Sequence, residues 1–145
     1  MDLQIILQLF LAVILGSVIG LERETKKKEA GLQTYSLVTL GTCLFTLVTF
    51  EIFNIFSFKT NLKLDPLTII PAIALGIGFI GAGTILHREK ETKGLTTAAG
   101  LWVVAAIGVA VGAKLYFLAV ISTFLALLIL AGLGLIEEKV FKEKE

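Results

Sequence analysis

The chain has 145 residues, of which 56% are hydrophobic and 17% charged, and its formal net charge is +1. This composition is far more apolar than that of a soluble globular domain, and it argues against a nucleic-acid-binding protein. The single cysteine, Cys43, excludes an intrachain disulfide.

Five apolar runs follow one another, each close to the ~20 residues that a helix needs to cross a bilayer. They cover residues 3–21, 35–58, 67–86, 95–113 and 115–136. We therefore predict an all-α integral membrane protein in contact with the lipid bilayer. Residues 1–136 would form one domain of five transmembrane helices, and residues 137–145 would form a short charged cytoplasmic tail.

The basic residues are distributed unevenly between the two sides of this predicted bundle. Ten of the thirteen Lys and Arg residues follow the first, third or fifth run, whereas only Lys59, Lys63 and Lys114 fall on the other side. Because basic loops stay in the cytoplasm, we predict the N-terminus outside and the C-terminus inside. The basic loops are expected to lie against anionic headgroups.

The first span ends in a charged sequence that we predict to be functional. Carboxylates are favoured near helix N-termini, and two predicted helix starts face the same cytoplasmic side. We expect a polar cluster there, held by an ion pair between Glu22 and Arg23; solvated boundary charge is the alternative. Its members would be Glu22, Arg23, Glu24, Thr34, Thr96 and Thr97.

The second and third spans carry the remaining local signals. Thr34 is a candidate N-cap for the second span, and residues 51–58 either continue that span or lie at the outer interface. Asp65 and Pro66 are typical of a helix start. Glu51 and Asp65 could instead form a shallow Mg²⁺ site, since Mg²⁺ uses one or two carboxylates and keeps several waters. We expect no other cofactor.

The third span contains a literal G-x-G-x-x-G from Gly76 to Gly81. A dinucleotide site requires a strand before this motif and an acidic residue about twenty positions after it. Here the motif lies inside a transmembrane run, and residues 95–113 contain no Asp or Glu. Glycines here are better explained by close helix approach. Packing within one bundle, a homo-oligomer seam and a solute path remain open as interpretations. The glycines concerned are Gly16, Gly20, Gly76, Gly78, Gly81 and Gly83.

A weak internal repeat occurs at an offset of 63 residues. The sequence Gly31–Thr34 aligns with Gly94–Thr97, and Gly20 aligns with Gly83. Chance similarity is the alternative to a parallel repeat of two helices, related by an axis along the membrane normal. Trp102 lies inside the fourth span, where we expect a packing role for it. No catalytic constellation is present in the sequence, so we expect no enzyme.

Together these stretches resemble the MgtC/SapB family of bacterial membrane proteins. The resemblance rests on Gly16–Glu24, Ala30–Thr34, Asp65–Pro66, Gly76–Gly83 and Lys93–Ala99 with Trp102. It implies a domain of about five helices in the bacterial inner membrane and a link to magnesium limitation. It also implies action on membrane machinery such as ATP synthase or transport ATPases.

The chain departs from the family pattern at Thr68 and Ala72, where members usually carry Arg and Gln. It also ends at Glu145, where many members continue into a cytoplasmic domain. We predict a homodimer or larger homo-oligomer packed through Gly/Ala faces, which acts in magnesium homeostasis by binding membrane partners. The alternative is a small ion or solute transporter or channel with a path along the Gly-rich third helix.

Overall fold

The computed structural model describes residues 2–57, 65–88 and 91–134. The predicted tail at 137–145, together with Lys59 and Lys63, lies outside these ranges. The helices and strands are α1 (Asp2–Thr25), α2 (Leu32–Ser57), α3 (Ile69–Thr84), β1 (Leu86–Arg88), β2 (Glu91–Lys93), α4 (Leu95–Gly112) and α5 (Tyr116–Leu127). A 3-10 turn at Pro66–Thr68 precedes α3, and a π-helical segment at Leu128–Leu133 continues α5.

The described residues contain five helices that are long and apolar enough to cross a membrane. This confirms the predicted all-α membrane protein. The chain is a multi-pass membrane protein in which residues 51–57 continue α2 rather than forming a separate segment. The hairpin of β1 and β2 was not predicted from the sequence; its strands pair in antiparallel register from Leu86 with Lys93 to Arg88 with Glu91.

Successive spans run in opposite directions, so each end of the bundle collects particular helix termini. At one end α1 and α3 finish and α2 and α4 begin; we call this the basic end, and it is the predicted cytoplasmic side. At the other end α4 turns into α5 through Lys114, and we call this the Lys114 end. Gln8 of α1 reaches the last residues of α4, which places the N-terminus of α1 at the Lys114 end.

Two helix starts were predicted correctly and one was not. Asp65 caps the turn before α3, where its carboxylate accepts a hydrogen bond of 2.9 Å from the Leu67 amide. The α4 helix begins directly after Gly94, at the first residue of the predicted apolar run 95–113. The prediction that Thr34 caps α2 is wrong, because α2 begins two residues earlier, at Leu32. The Gly31 carbonyl already accepts the first helical bond, 3.1 Å from the Tyr35 amide.

The α1 and α4 helices end in the same way. A lysine adopts the left-handed conformation after each of them, Lys27 with φ 50° and Lys114 with φ 64°. After α4, the Leu115 amide bonds the Ala110 carbonyl at 2.8 Å and the Lys114 amide bonds the Val111 carbonyl at 3.0 Å. This is the Schellman pattern, which satisfies the last carbonyls of a helix and allows the tight turn into α5.

The α4 helix lies at the centre of the bundle and contacts each of the other four helices. Buried side chains such as Leu101, Val104 and Val111 form the core along it. Trp102 is on its outer side with 55% of its surface exposed, so the expected packing role within the bundle is wrong. Large side chains on the outside, including Phe79 and Phe117, are even more exposed, as expected for surfaces that face lipid.

Threonines of α2 lie where α2 and α4 are in close contact. The Thr39, Thr42 and Thr46 hydroxyls donate to carbonyls three or four residues earlier, so these buried groups are satisfied within α2. Opposite them, α4 presents Gly108 and Gly112, and a Cβ at Gly112 would lie 2.7 Å from the Thr46 Cβ. Small residues therefore let the α2 and α4 backbones approach each other.

Candidate functional site

The basic end carries a compact charge cluster made by the last turn of α1 and the residue that follows it. The Arg23 guanidinium donates to both oxygens of Glu22, at 2.5 Å from Nε and 2.8 Å from Nη2. Lys26 lies one helical turn further on, with its ammonium 2.9 Å from the same carboxylate. One carboxylate therefore pairs with two cations, and the group keeps one formal positive charge. We refer to Glu22, Arg23 and Lys26 as the charge triad.

The charge triad joins the first helix to the last. The Leu130 carbonyl accepts hydrogen bonds from Arg23 Nη2 at 3.4 Å and from Lys26 Nζ at 3.2 Å. Leu130 lies in the π-helical segment that continues α5. Arg23 is only 2% exposed, so both its charge and its donors are satisfied inside the protein. The Lys26 side chain is 29% exposed, which leaves it accessible at the surface.

Two other carboxylates serve the helix starts. Glu24 Oε2 accepts a hydrogen bond of 3.1 Å from the Leu32 amide at the beginning of α2. This amide belongs to the first turn, where a helix has no backbone acceptor of its own and favours negative charge. A Cβ at Gly31 would collide with the Glu24 carboxylate, so the glycine leaves room for this bond.

Glu29 performs a related role at α4. The buried Thr97 hydroxyl donates a hydrogen bond of 2.7 Å to the exposed Glu29 carboxylate. This hydrogen bond holds the pKa of Glu29 below its ordinary value. Beside it, the fully buried Tyr35 donates its hydroxyl to the Thr97 carbonyl at 3.3 Å. The starts of α2 and α4 are thereby connected through side chains.

The predicted polar cluster is therefore divided among three carboxylates. The ion pair of Glu22 and Arg23 is present, but their described bonds lead to Lys26 and Leu130. Glu24, not Glu22, contacts the start of α2, and Thr97 bonds Glu29. Thr34 is half-buried in the first turn of α2, and Thr96 is exposed.

The six glycines singled out in the sequence occupy two kinds of position. Gly16 and Gly20 of α1 lie against α2, and Gly81 lies against Ala98 of α4 at ordinary contact distance. A Cβ at the other three would meet no described atom within 4 Å beyond its own helix. These three are Gly76, Gly78 and Gly83.

Glu51 and Asp65 have separate environments. Asp65 caps the turn before α3, whereas Glu51 lines a cavity at the Lys114 end to which Asp65 does not contribute. Within residues 2–57, 65–88 and 91–134, no group of three or more His, Cys, Asp or Glu is placed to hold a metal ion.

Sequence reasoning missed three polar residues that the fold uses. Lys26 could have been found from its spacing of four residues from Glu22. Gln8 is one of two amides in the apolar run 3–21, and polar side chains in such runs often face the bundle interior; Gln8 is 1% exposed. Glu29 gave no signal of its own, because its contact with Thr97 depends on the path of the loop.

These features define a polytopic α-helical membrane protein whose first and last helices are tied by a charged cluster at one end. The MgtC family model matches residues 9–139, and the chain belongs to this family. This confirms the resemblance drawn from the motifs.

Several curated proteins are similar to the chain. An uncharacterized protein of Haemophilus influenzae is 39% identical over 95% of this chain and 59% of its own length. The protein named "Putative magnesium transporter YhiD" of Escherichia coli K12 is 41% identical over 90% of the chain and 60% of its own length. Protein MgtC of Salmonella typhimurium LT2 is 38% identical over 84% of the chain and 49% of its own length. The chain thus spans about half to three-fifths of these relatives. No solved structure matches it.

Proposed function

We propose that this protein acts in magnesium homeostasis in the bacterial inner membrane, by binding and modulating a membrane partner at its basic end. The connection to magnesium is supported by the name of the Escherichia coli relative and by family membership. The proposal concerns binding rather than catalysis, because the charge triad offers a fixed charge and no reactive group. The observation that carries it is the triad itself.

The triad has the properties expected of a recognition site. Its buried arginine is fixed by Glu22 and by the Leu130 carbonyl, so the neighbouring Lys26 charge has a defined position. A partly exposed ammonium at the membrane surface can pair with an acidic group of a partner helix or loop. Complementary charge sets the orientation of partners more than their affinity, which suits a modulator.

A transporter or channel is the weaker alternative. Ionisable residues inside spans usually mark ion pathways, and residues 3–21, 67–86 and 95–113 contain none. The path proposed along α3 also has little support, since Gly76, Gly78 and Gly83 face no other described helix. Those open glycines suit a contact with a second copy instead, and we include a homo-oligomer in the proposal.

Growth at low magnesium tests the proposal. In a strain that depends on this protein, Arg23→Gln and Lys26→Gln should reduce growth at low magnesium and leave growth at high magnesium unchanged. Lys28→Gln is the matched control, because Lys28 is an exposed cation at the same end and lies outside the triad. Immunoblotting of isolated membranes checks that each variant is inserted at wild-type levels.

Two results would contradict the proposal. Normal low-magnesium growth of both triad variants at wild-type protein levels would reduce the triad to a structural tie between α1 and α5. Magnesium flux into proteoliposomes that contain only the purified chain would favour the transporter, since a modulator alone conducts nothing.

A further inference from the structure

A cavity of about 280 Å³ lies at the Lys114 end of the bundle. The first turns of α1, the last turns of α2 and the turn between α4 and α5 form its wall. The described polar side chains in its lining are Gln4, Gln8, Glu51, Asn54 and Lys114. Small-molecule sites in proteins usually measure ~300–1,000 Å³, so this cavity suits only a small ligand.

The cavity lies at the depth of the lipid headgroups. Gln4 and Arg23 belong to the same helix, and their positions differ by 19 residues, which is about 29 Å at ~1.5 Å per residue. This distance is close to the ~30 Å thickness of the hydrocarbon core. Because Arg23 belongs to the charge triad at one surface of the core, Gln4 lies near the opposite surface. The cavity is therefore within reach of headgroups and of small solutes in the water on that side.

The lining carries two opposite charges that are not paired with each other. Glu51 is half-buried and Lys114 is exposed. Within residues 2–57, 65–88 and 91–134, neither of them forms an ion pair with the other or with a third group. A ligand with a single charge would be attracted by one of these groups and repelled by the other. A ligand that carries both charges complements the lining, so the cavity favours a zwitterion.

The helix ends place partial charges in the same sense. The α1 helix begins beside Gln4 and Ile5, and the first amides of a helix carry partial positive charge. The α2 helix reaches its end just beyond Asn54, and the last carbonyls of a helix carry partial negative charge. An anionic group is thus favoured beside α1 and Lys114, and a cationic group is favoured beside α2 and Glu51.

The side chains of α2 indicate which cation this is. Glu51 and Asn54 are three residues apart, so they share one face of the helix. Their carboxylate and amide oxygens accept hydrogen bonds, which a primary ammonium donates and a quaternary ammonium does not. Ile5 and Phe50 add apolar contacts for a short carbon link between the two charges. At the depth of the headgroups, the anion that accompanies such an ammonium is phosphate.

We propose that the cavity at the Lys114 end binds a small zwitterion that carries a primary ammonium and a phosphate. Glu51 pairs with the ammonium, and Lys114 pairs with the phosphate. Two sources share this chemistry, the headgroup of phosphatidylethanolamine and free phosphoethanolamine. The inference does not rest on the function proposed for the charge triad, because the two sites occupy opposite ends of the bundle and use different residues.

Two binding measurements on the full chain separate the sources. In native mass spectrometry from detergent, the probes are phosphatidylethanolamine, phosphatidylcholine and phosphatidylglycerol with identical acyl chains. Phosphatidylethanolamine should bind about tenfold more tightly than the other two, because it alone offers an ammonium donor together with a phosphate. Equilibrium dialysis against phosphoethanolamine, with the chain in phosphatidylcholine nanodiscs, tests the soluble source. The measurement that shows binding identifies the source.

Variants test the assignment of the two charges with the same probes. Glu51→Gln should weaken binding of the zwitterion about tenfold, because it removes the partner of the ammonium. Lys114→Gln should weaken it about two- to fivefold, since this charge is exposed and screened by solvent. Lys114→Arg keeps the charge and should bind as the wild type does. Glu29→Gln and Lys28→Gln, at the basic end, are the matched controls, and thermal stability in the same detergent checks that each variant is folded.

Three results would overturn the inference. Stronger binding in Lys114→Gln would mean that the ligand is a cation, and stronger binding in Glu51→Gln would mean that it is an anion. Equal binding of the three lipids, together with no binding of phosphoethanolamine, would mean that the cavity selects no zwitterion. None of these results bears on low-magnesium growth of the triad variants, so the two proposals fail separately.

Discussion

The two helix pairs α1–α2 and α3–α4 begin their second helices in the same way yet pack differently. Gly31 and Gly94, which are 63 residues apart, each precede a helix and accept its first backbone bond. Gly20 of α1, however, lies against Leu32, whereas its counterpart Gly83 in α3 faces no described neighbour. The similar sequences thus specify similar helix starts, and the surrounding helices decide what each glycine does.

The difference comes from the position of each pair in the bundle. The α1 and α2 helices pack closely, because Gly16 and Gly20 have no side chain to keep the α2 backbone away. The α3 helix meets α4 through Gly81 and leaves its remaining glycines outside. A glycine pattern in a membrane helix therefore marks a surface suited to close approach, without saying whether this chain or another molecule occupies it.

The largest expected effect is for Gly94→Ala, which would break the second pair at its turn. Gly94 has a φ of 90°, and a Cβ there would clash with the Thr84 carbonyl oxygen. The left-handed backbone and the overpacking together should lower the free energy of unfolding by about 2–4 kcal/mol. Reversible unfolding in mixed detergent micelles measures it. A loss below about 1 kcal/mol would show that the turn relaxes easily.

The matched pair Gly20→Ala and Gly83→Ala tests the comparison directly. A Cβ at Gly20 would lie 2.8 Å from the Leu32 Cα, so the α2 backbone must move. We expect a loss of about 1–3 kcal/mol. A Cβ in Gly83→Ala meets open space, so the substitution should be neutral or stabilising by up to about 1 kcal/mol, because alanine lowers the conformational entropy of the unfolded chain. Equal losses at both positions, with both proteins monomeric, would mean that α3 packs as closely as α1.

The smallest of the expected losses is for Gly31→Ala, which sharpens the contrast with Gly94. Gly31 is not left-handed, and its Cβ would meet the flexible Glu24 carboxylate rather than backbone. The cost should be the lost bond to the Leu32 amide, about 0.5–1.5 kcal/mol. A double-mutant cycle with Glu24→Ala checks this, since the two substitutions should then cost no more together than either does alone. Full additivity would show that Gly31 acts through another contact.

The architecture was predictable because the bilayer allows few solutions. Backbone groups in lipid must bond within their own segment, so apolar runs of sufficient length become helices, as all five do here. Asp65 was also found from sequence, since Asp before Pro acts through atoms only two residues away.

Longer-range partners were not predictable. Gln8 bonds residues more than one hundred positions away, and Arg23 reaches Leu130 by a similar distance along the chain. Those contacts depend on which helices become neighbours, which hydropathy does not specify. The choice between Glu22 and Glu24 as the partner of α2 depends on the loop path, and the hairpin of β1 and β2 is too short to give a periodic signal.

The tie between Arg23 and Leu130 has a consequence for biogenesis. The two residues are 107 positions apart, so at about 5–20 residues per second the ribosome completes Leu130 some 5–20 s after Arg23. Glu22, the adjacent residue, is the partner of Arg23 that requires no later helix. The final acceptor arrives only with the last helix. The tie between the first and last helices can therefore form only after α5 has been synthesised, whereas the counterion of Arg23 is present from the start.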